Sequence, residues 1–128
     1  MRKIAGLNVI VTGASGGIGS CVCRRLAERG ANLALASNDA DALTALTSEL
    51  TAQINEPTAK LTANTEIISG VVDVRFEADV DSFIHRAVER FGAPDCLLNL
   101  AGLSIPTKIA ELNVADYELM LDVNLKGS

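Results

Sequence analysis

The sequence predicts an α/β fold in which helices cover both faces of a doubly wound parallel sheet. Short apolar runs of strand length alternate with longer segments whose apolar residues recur every three or four positions. The short runs are almost continuously apolar, which is typical of parallel strands buried on both faces. A chain of 128 residues suits one domain, so we expect residues 1–128 to form such a sheet, truncated after about four strands.

The first strand is predicted over Leu7–Val11 and the first helix over Ile18–Arg29, with Gly30 as the stop signal. The helical face expected to turn toward the core carries Ile18, Cys21, Val22 and Leu26. A second apolar run, Ala31–Ala36, is short enough for a buried strand. Right-handed crossovers between such parallel strands give a doubly wound sheet.

Asp39 is expected to cap a second helix, which ends at Glu56–Pro57. The apolar stripe of this helix consists of Leu43, Leu46, Leu50 and Ile54. Residues 55–65 are polar and rich in threonine and asparagine, so we expect a surface loop there. The next apolar run, Glu66–Val72, is predicted as the third strand.

Asp79 is expected to cap the third helix, which Gly92 ends, and Cys96–Leu100 is predicted as the fourth strand. Asn113 is expected to cap the last helix. The inward stripes carry Val80, Phe83, Ala87, Val88 and Phe91 on the third helix, and Tyr117, Met120 and Leu121 on the last. Asn124 continues the last stripe, and a polar side chain in that position must find hydrogen-bond partners.

Composition excludes several classes of function. The net charge of −5 argues against a nucleic-acid-binding surface, and no apolar run approaches the ~20 residues of a membrane span. No secretory signal is visible at Met1 and the three cysteines do not form a disulfide framework, so we expect a cytoplasmic setting. Cys21 and Cys23 are interpreted as small buried residues. The single histidine, His85, is interpreted as structural, and no metal site is expected.

The run from Val9 to Gly19 is the most informative feature, because a β-branched strand leads directly into a glycine turn that opens a helix. Glycines let a ligand approach the backbone, and a helix N-terminus offers unpaired N–H groups and a partial positive charge. The junction therefore predicts a dinucleotide phosphate site at the carboxyl ends of the first and fourth strands. The contacts expected from this turn are Gly13, Ser15, Gly17, Ile18 and Gly19. A glycine-rich turn without a ligand is the alternative.

Four segments resemble, in order, the signatures of the classical short-chain dehydrogenase/reductase family. They are Thr-Gly-Ala-Ser-Gly-Gly-Ile-Gly at 12–19, Asp-Val at 73–74, Asn-Leu-Ala-Gly at 99–102 and Val-Asn-Leu-Lys-Gly at 123–127. The resemblance spans nearly the whole chain and implies a Rossmann fold that binds NADP or NAD. It also implies a homo-oligomeric full-length parent, which transfers hydride between the nicotinamide cofactor and a small-molecule carbonyl or secondary alcohol.

The resemblance implies roles for single residues as well. Asp73 would bind the adenine amino group, and Val74 would supply a backbone contact. Further cofactor contacts would come from Asn99, Ala101 and Gly102. Leu100 departs from the family's usual Asn-Asn-Ala-Gly at its second position. Asn124 would hold a water molecule linked to the active-site lysine, and is the one catalytic residue expected within the chain.

The residues after the second strand bear on the choice between NAD and NADP. An acidic side chain there hydrogen-bonds the ribose hydroxyls and repels a 2′-phosphate. This chain has Ser37 and Asn38 instead, while Asp39 stands one place too late. The arginine common in NADP-preferring members is missing at 38, and Gly16 stands where many members carry a basic residue. The pattern favours NADP and leaves NAD open.

The family's proton donor is absent from these 128 residues. In the family a tyrosine with a lysine four positions later acts in acid/base catalysis, and a serine orients the substrate carbonyl. Tyr117 is followed at that spacing by Leu121, and Ser128 lies too early to be the catalytic serine. We therefore expect the chain to be inactive alone. It is either the cofactor-binding part of an enzyme or a truncated, non-catalytic dinucleotide-binding module.

Overall fold

The computed structural model describes residues 3–55 and 65–128. Its strands are β1 (Asn8–Thr12), β2 (Asn32–Ser37), β3 (Ile67–Val71) and β4 (Cys96–Asn99). Its helices are α1 (Gly17–Ala27), α2 (Ala40–Asn55), α3 (Glu77–Phe91) and α4 (Val114–Leu121). A 3₁₀ turn at Ile109–Glu111 precedes α4, and a π-helical turn at Asp122–Lys126 follows it. The predicted helix end at Glu56–Pro57 and most of the predicted loop lie outside the described residues.

The strands form one parallel sheet in the order β3–β2–β1–β4. All four predicted strands are confirmed, each with its ends moved by one residue at most. Because β1 lies between β2 and β4, the direction of strand addition reverses there. This is the switch point of a doubly wound sheet, where the connections at the carboxyl ends of neighbouring strands diverge and leave a crevice.

Two apolar layers lie on opposite faces of the sheet. Leucines of α2 and small residues of α1 pack on one face with Val9 and Val11 of β1. Phe83 and Ala87 of α3 pack on the other face with Ile10. Since successive side chains of a strand point to opposite faces, β1 contributes to both layers. The predicted doubly wound architecture is therefore confirmed.

The inward face of α1 differs from the prediction. Ile18 is 72% exposed and Cys21 is exposed, whereas Gly19, Cys23 and Ala27 are buried. A spacing of four puts these three small residues on one stripe, and their size lets the helix lie close to the sheet. The interpretation of Cys21 as buried was therefore wrong, while that of Cys23 is confirmed. Burial raises the pKa of the Cys23 thiol to about 11.

Asp79 does not cap α3, because the helix begins at Glu77 and Asp79 lies within its first turn. There the Asp79 Oδ2 atom accepts a hydrogen bond of 3.4 Å from the backbone N–H of Asp73. Any acidic residue in the first turn is favourable to a helix, so the sequence signal did not fix the cap position.

Two side chains expected to face inward, Val88 on α3 and Tyr117 on α4, are exposed in the part of the chain that the structure describes, by 41% and 50%.

The other predicted helix caps are confirmed. Asp39 Oδ1 accepts from the backbone N–H of Ala42 at 2.9 Å, and Asn113 Oδ1 accepts from that of Asp116 at 2.8 Å. Each bond satisfies one of the N–H groups that the first turn of a helix leaves without an internal partner. Gly92 ends α3 with a φ of +82°, a conformation that glycine adopts without strain.

Side-chain amides join three strands at the amino-terminal end of the sheet. Asn8 Nδ2 donates to the carbonyl oxygens of Phe91 (2.8 Å) and Ala93 (3.1 Å) at the end of α3. Asn32 Nδ2 donates to Asn8 Oδ1 at 2.9 Å, and Asn32 Oδ1 accepts from the N–H of Glu66 at 3.0 Å. Because Asn8 and Asn32 are register partners of β1 and β2, this network of amides fixes how the strands align.

Candidate functional site

A cleft of about 500 Å³ opens at the carboxyl ends of the strands. Residues that follow all four strands line it, together with two side chains from α4 and the π-helical turn. The lining residues at or just after the strand ends include Gly13, Ser15, Ser37, Asn38, Asp73, Val74, Ala101 and Gly102. The switch-point rule predicts a ligand crevice at this edge of the sheet.

The glycine turn after β1 is packed against the end of β4. Gly13 has a φ of +63°, and a Cβ atom there would lie 2.6 Å from the backbone N of Ala101. A Cβ atom at Gly19 would collide with the carbonyl oxygen of Gly13. These two glycines are therefore required by the protein's own packing. A Cβ atom at Gly17 would meet nothing within 4 Å, so this glycine leaves open space in front of the turn.

The N-terminus of α1 has the features of an anion site. Its first internal hydrogen bond runs from the N–H of Ser20 to the carbonyl of Gly16 (2.8 Å), so the three preceding N–H groups have no partner within the helix. Gly16 supplies no side-chain cap, and the first turn carries no acidic residue. Unpaired N–H groups, a helix dipole and the open space at Gly17 together fit the pyrophosphate of a dinucleotide.

Thr12 joins β1 to the segment after β4, although sequence reasoning did not single it out as a site residue. Its Oγ1 accepts from the backbone N–H groups of Leu100 (3.2 Å) and Ala101 (3.3 Å). The same hydroxyl donates to Asn99 Oδ1 at 3.3 Å. Asn99 is exposed rather than buried, and its side chain closes this arrangement instead of lining the cleft. Thr12 thereby holds the cleft wall that Ala101 forms.

Asn124 holds the same wall from the other side. Its Oδ1 accepts from the backbone N–H of Leu103 and its Nδ2 donates to the Leu103 carbonyl, both at 2.8 Å. Asn124, the polar residue of the apolar stripe, thus has a hydrogen-bond partner for each polar atom of its amide, although the residue is exposed rather than buried. Asn124 lies in the π-helical turn and does not line the cleft.

The end of β2 is held against the glycine turn by a pair of serines. Ser37 is only 6% exposed, and its Oγ lies 2.6 Å from the Oγ of Ser15. Ser37 Oγ also accepts from the N–H of Asp39 at 3.2 Å. Asn38, in contrast, is exposed and lines the cleft beside Asp39. Ser37, at the strand end where the choice between NAD and NADP is expected, is therefore neutral, buried and already hydrogen-bonded.

An ion pair lies at the end of β3, where sequence reasoning identified Asp73 but not its partner Arg75. The Arg75 Nε atom lies 2.9 and 3.1 Å from the two carboxylate oxygens, and Nη2 lies 2.5 Å from Oδ2. The backbone N–H of Arg75 adds a bond of 3.0 Å to Oδ1. Hydrogen bonds from Arg75 hold the pKa of the Asp73 carboxyl below its usual range. Both residues line the cleft.

Two kinds of functional element are not found in residues 3–55 and 65–128. No helix in these ranges is both long and apolar enough to cross a bilayer. No three histidine, cysteine, aspartate or glutamate side chains in these ranges gather where they could hold a metal ion. His85 is exposed on α3, with its Nδ1 atom 2.8 Å from the Asp81 carbonyl oxygen.

Comparison with known proteins identifies the family. The family model described as short chain dehydrogenase matches residues 7–128. An uncharacterized oxidoreductase of Staphylococcus epidermidis is 31% identical over 128 residues, which cover 100% of this chain and 50% of that protein. Hydroxysteroid dehydrogenase-like protein 2 of Bos taurus is 35% identical over 126 residues, which cover 98% of this chain and 29% of that protein.

Solved structures agree with this assignment. A short chain dehydrogenase/reductase from Burkholderia phymatum, in complex with NAD, matches with a TM-score of 0.86 and 29% identity, covering 99% of this chain and 42% of that one. A short-chain dehydrogenase/reductase from Brucella melitensis matches with a TM-score of 0.83 and 29% identity, covering 99% and 49%. The chain spans half or less of the length of these proteins. Since the family model matches nearly all of it, the chain belongs to the short-chain dehydrogenase family.

Proposed function

We propose that the chain binds a nicotinamide dinucleotide, with the pyrophosphate in front of Gly17 and the adenine beside Asp73. The observation that carries the proposal is the open space at Gly17 next to the unpaired N–H groups of α1. Asp73 lines the cleft together with Gly16, the residue before Gly17, and hydrogen bonds from Arg75 lower the pKa of its carboxyl. A carboxylate is a suitable acceptor for an amino group. The bound NAD in the Burkholderia relative supports this ligand class.

We further propose that the whole protein is an oxidoreductase acting on a small-molecule carbonyl or secondary alcohol. When bound, the cofactor would supply or accept the hydride. The residues of this chain would bind and orient it: the N–H groups of α1 hold the diphosphate, and Asp73 accepts from the base. Asn124 contributes by fixing Leu103 beside the cleft, because both polar atoms of its amide bond to that residue. We place Asn124 in the catalytic apparatus on the strength of the family pattern.

The preference for NADP over NAD is also a proposal. The last residue of β2 carries no carboxylate that would repel a 2′-phosphate, since Ser37 is neutral and its hydroxyl is engaged by Ser15. Asn38 is the exposed side chain nearest in sequence to this position, and it can donate to a phosphate oxygen. Asp39 also lines the cleft with a carboxylate, which the cap of α2 ties to the N-terminus of that helix through its Oδ1 atom.

Replacement of Gly17 by alanine tests the proposed pyrophosphate position. The methyl group meets no protein atom within 4 Å, so the free energy of unfolding should stay the same or rise slightly. The methyl would nevertheless occupy the space in front of the α1 N–H groups, and the dissociation constant for NADP should rise by roughly tenfold or more. Calorimetric titration measures the affinity, and thermal unfolding of the same variant is the control. Equal NADP affinity in both proteins would show that the pyrophosphate binds elsewhere.

Replacement of Ser37 by aspartate tests the proposed cofactor preference. A carboxylate at this position repels a 2′-phosphate, and should shift the ratio of NADP to NAD affinity toward NAD by roughly 1–2 kcal/mol. Ser37→Ala is the matched control, since it removes the same hydroxyl, which Ser15 contacts, without adding charge. We expect the control to leave the ratio nearly unchanged. A ratio that does not move in Ser37→Asp would mean that residue 37 does not face the ribose.

A further inference from the structure

The ion pair of Asp73 and Arg75 puts an acceptor and a donor of hydrogen bonds side by side in the cleft. An ionised carboxylate only accepts and has about four acceptor positions on its two oxygens. Arg75 makes four contacts with these oxygens through three nitrogen atoms: Nε contacts both oxygens, and Nη2 and the backbone N–H contact one each. An amino group of a bound base must therefore compete with Arg75 for Asp73.

Arg75 has the freedom that such competition requires. Its side chain is 39% exposed, against 23% for that of Asp73. The guanidinium carbon lies 5.5 Å from the centre of the Phe76 ring, and Asp122 contributes a further attraction. These groups keep the cation near the cleft when a ligand takes one of its bonds to Asp73. The Nη1 group takes part in none of the four contacts, so it can donate to a ligand.

The two charged groups select opposite purines. A carboxylate accepts from the 6-amino group of adenine but repels the 6-carbonyl oxygen of hypoxanthine. A guanidinium has only donors, so it favours the carbonyl. We propose that Arg75 is a specificity-determining residue of the base subsite, which competes with adenine for Asp73 and donates to a 6-carbonyl group. This inference rests on the proposed dinucleotide function. It adds that Arg75 lowers the preference of the base subsite for adenine over hypoxanthine.

The test compares binding of ADP and inosine 5′-diphosphate to the full chain and to Arg75→Met, by equilibrium dialysis. Methionine keeps an apolar stem beside Phe76 but has no N–H donors. Both ligands carry the same diphosphate, so the loss of a positive charge affects them equally and cancels in the ratio of their affinities. Arg25→Met is the matched control, because Arg25 forms an exposed ion pair with Glu28 on α1 and does not line the cleft.

We expect the ratio of ADP affinity to inosine 5′-diphosphate affinity to rise about fivefold in Arg75→Met. The substitution removes one exposed charge-assisted hydrogen bond to the 6-carbonyl group of hypoxanthine, and it frees Asp73 to accept from the 6-amino group of adenine. The preference should stay unchanged in Arg25→Met. An unchanged or smaller preference in Arg75→Met, with ADP still bound, would overturn the role of Arg75 and leave the proposed function standing. No binding of ADP to the unmodified chain would overturn both.

Discussion

Replacing Gly19 by valine should destabilise the protein by about 3 kcal/mol or more and abolish dinucleotide binding. The sequence pattern alone suggests that a larger side chain would block the cofactor directly. The structure gives a different reason, because the first side-chain atom already collides with the Gly13 carbonyl and lies 2.8 Å from that of Ala14. Valine at this position would therefore force the turn apart whether or not a ligand is present. Chemical denaturation measures the resulting loss in the free energy of unfolding.

Gly17→Ala is the matched control for this experiment, since its added atom meets no protein atom within 4 Å. The two variants should separate the two uses of glycine in one turn. Gly19→Val should lose both stability and binding, whereas Gly17→Ala should bind NADP more weakly and keep its stability. An unfolding midpoint of Gly19→Val equal to that of the unmodified protein would contradict the packing described for the turn.

The polypeptide of residues 1–128, produced alone, should turn over no carbonyl substrate and should self-associate. It contains no tyrosine with a lysine four positions later, so we expect it to lack the general acid/base catalysis, worth typically 10²–10⁴-fold, that such a pair would supply. Among the described residues β4 pairs with β1 alone, and Leu97 on β4 is 53% exposed. An unpaired edge strand with exposed apolar side chains is a template for pairing with another chain.

Light scattering and a turnover assay with NADPH check the two parts of this prediction. Leu97→Lys is the informative variant, because a lysine on an edge strand opposes pairing of one edge with another. It should reduce self-association without restoring turnover. A monodisperse monomer of the unmodified polypeptide would contradict the first part, and steady turnover of a carbonyl substrate would contradict the second.

The strands could be predicted from the sequence because each is a short, apolar run with clear boundaries. The burial of α1 could not, because its inward stripe is made of Gly19, Cys23 and Ala27. Residues this small add little to an apolar pattern, yet they are buried because the helix lies close to the sheet. The exposed Ile18 carries the stronger apolar signal, so periodicity included it in the inward face, although Leu26, predicted on the same face, does pack against the core.

In the candidate site, a feature made of consecutive residues could be predicted from the sequence, whereas contacts between distant residues could not. The glycine turn was visible in the sequence because strand, turn and helix are consecutive. The roles of Thr12 and Arg75 were not, since they depend on partners that only the fold or the side-chain conformation brings close. Thr12 bonds to a segment almost 90 positions away, and no spacing rule predicts such a contact.

The amide network of Asn8 and Asn32 bears on which residues of this protein can be substituted without disturbing the sheet. The network aligns the strands at the end of the sheet opposite the cleft, through atoms that a ligand in the cleft does not touch. Strand alignment at that end therefore does not depend on Ser37 or Arg75, for which we propose roles in the choice of cofactor and base. Substitutions at exposed cleft residues such as Asn38 and Arg75 can accumulate while the framework that presents them stays in place. The end of the sheet opposite the cleft thus preserves the alignment of the strands while exposed residues that follow the strands at the cleft can acquire new specificities.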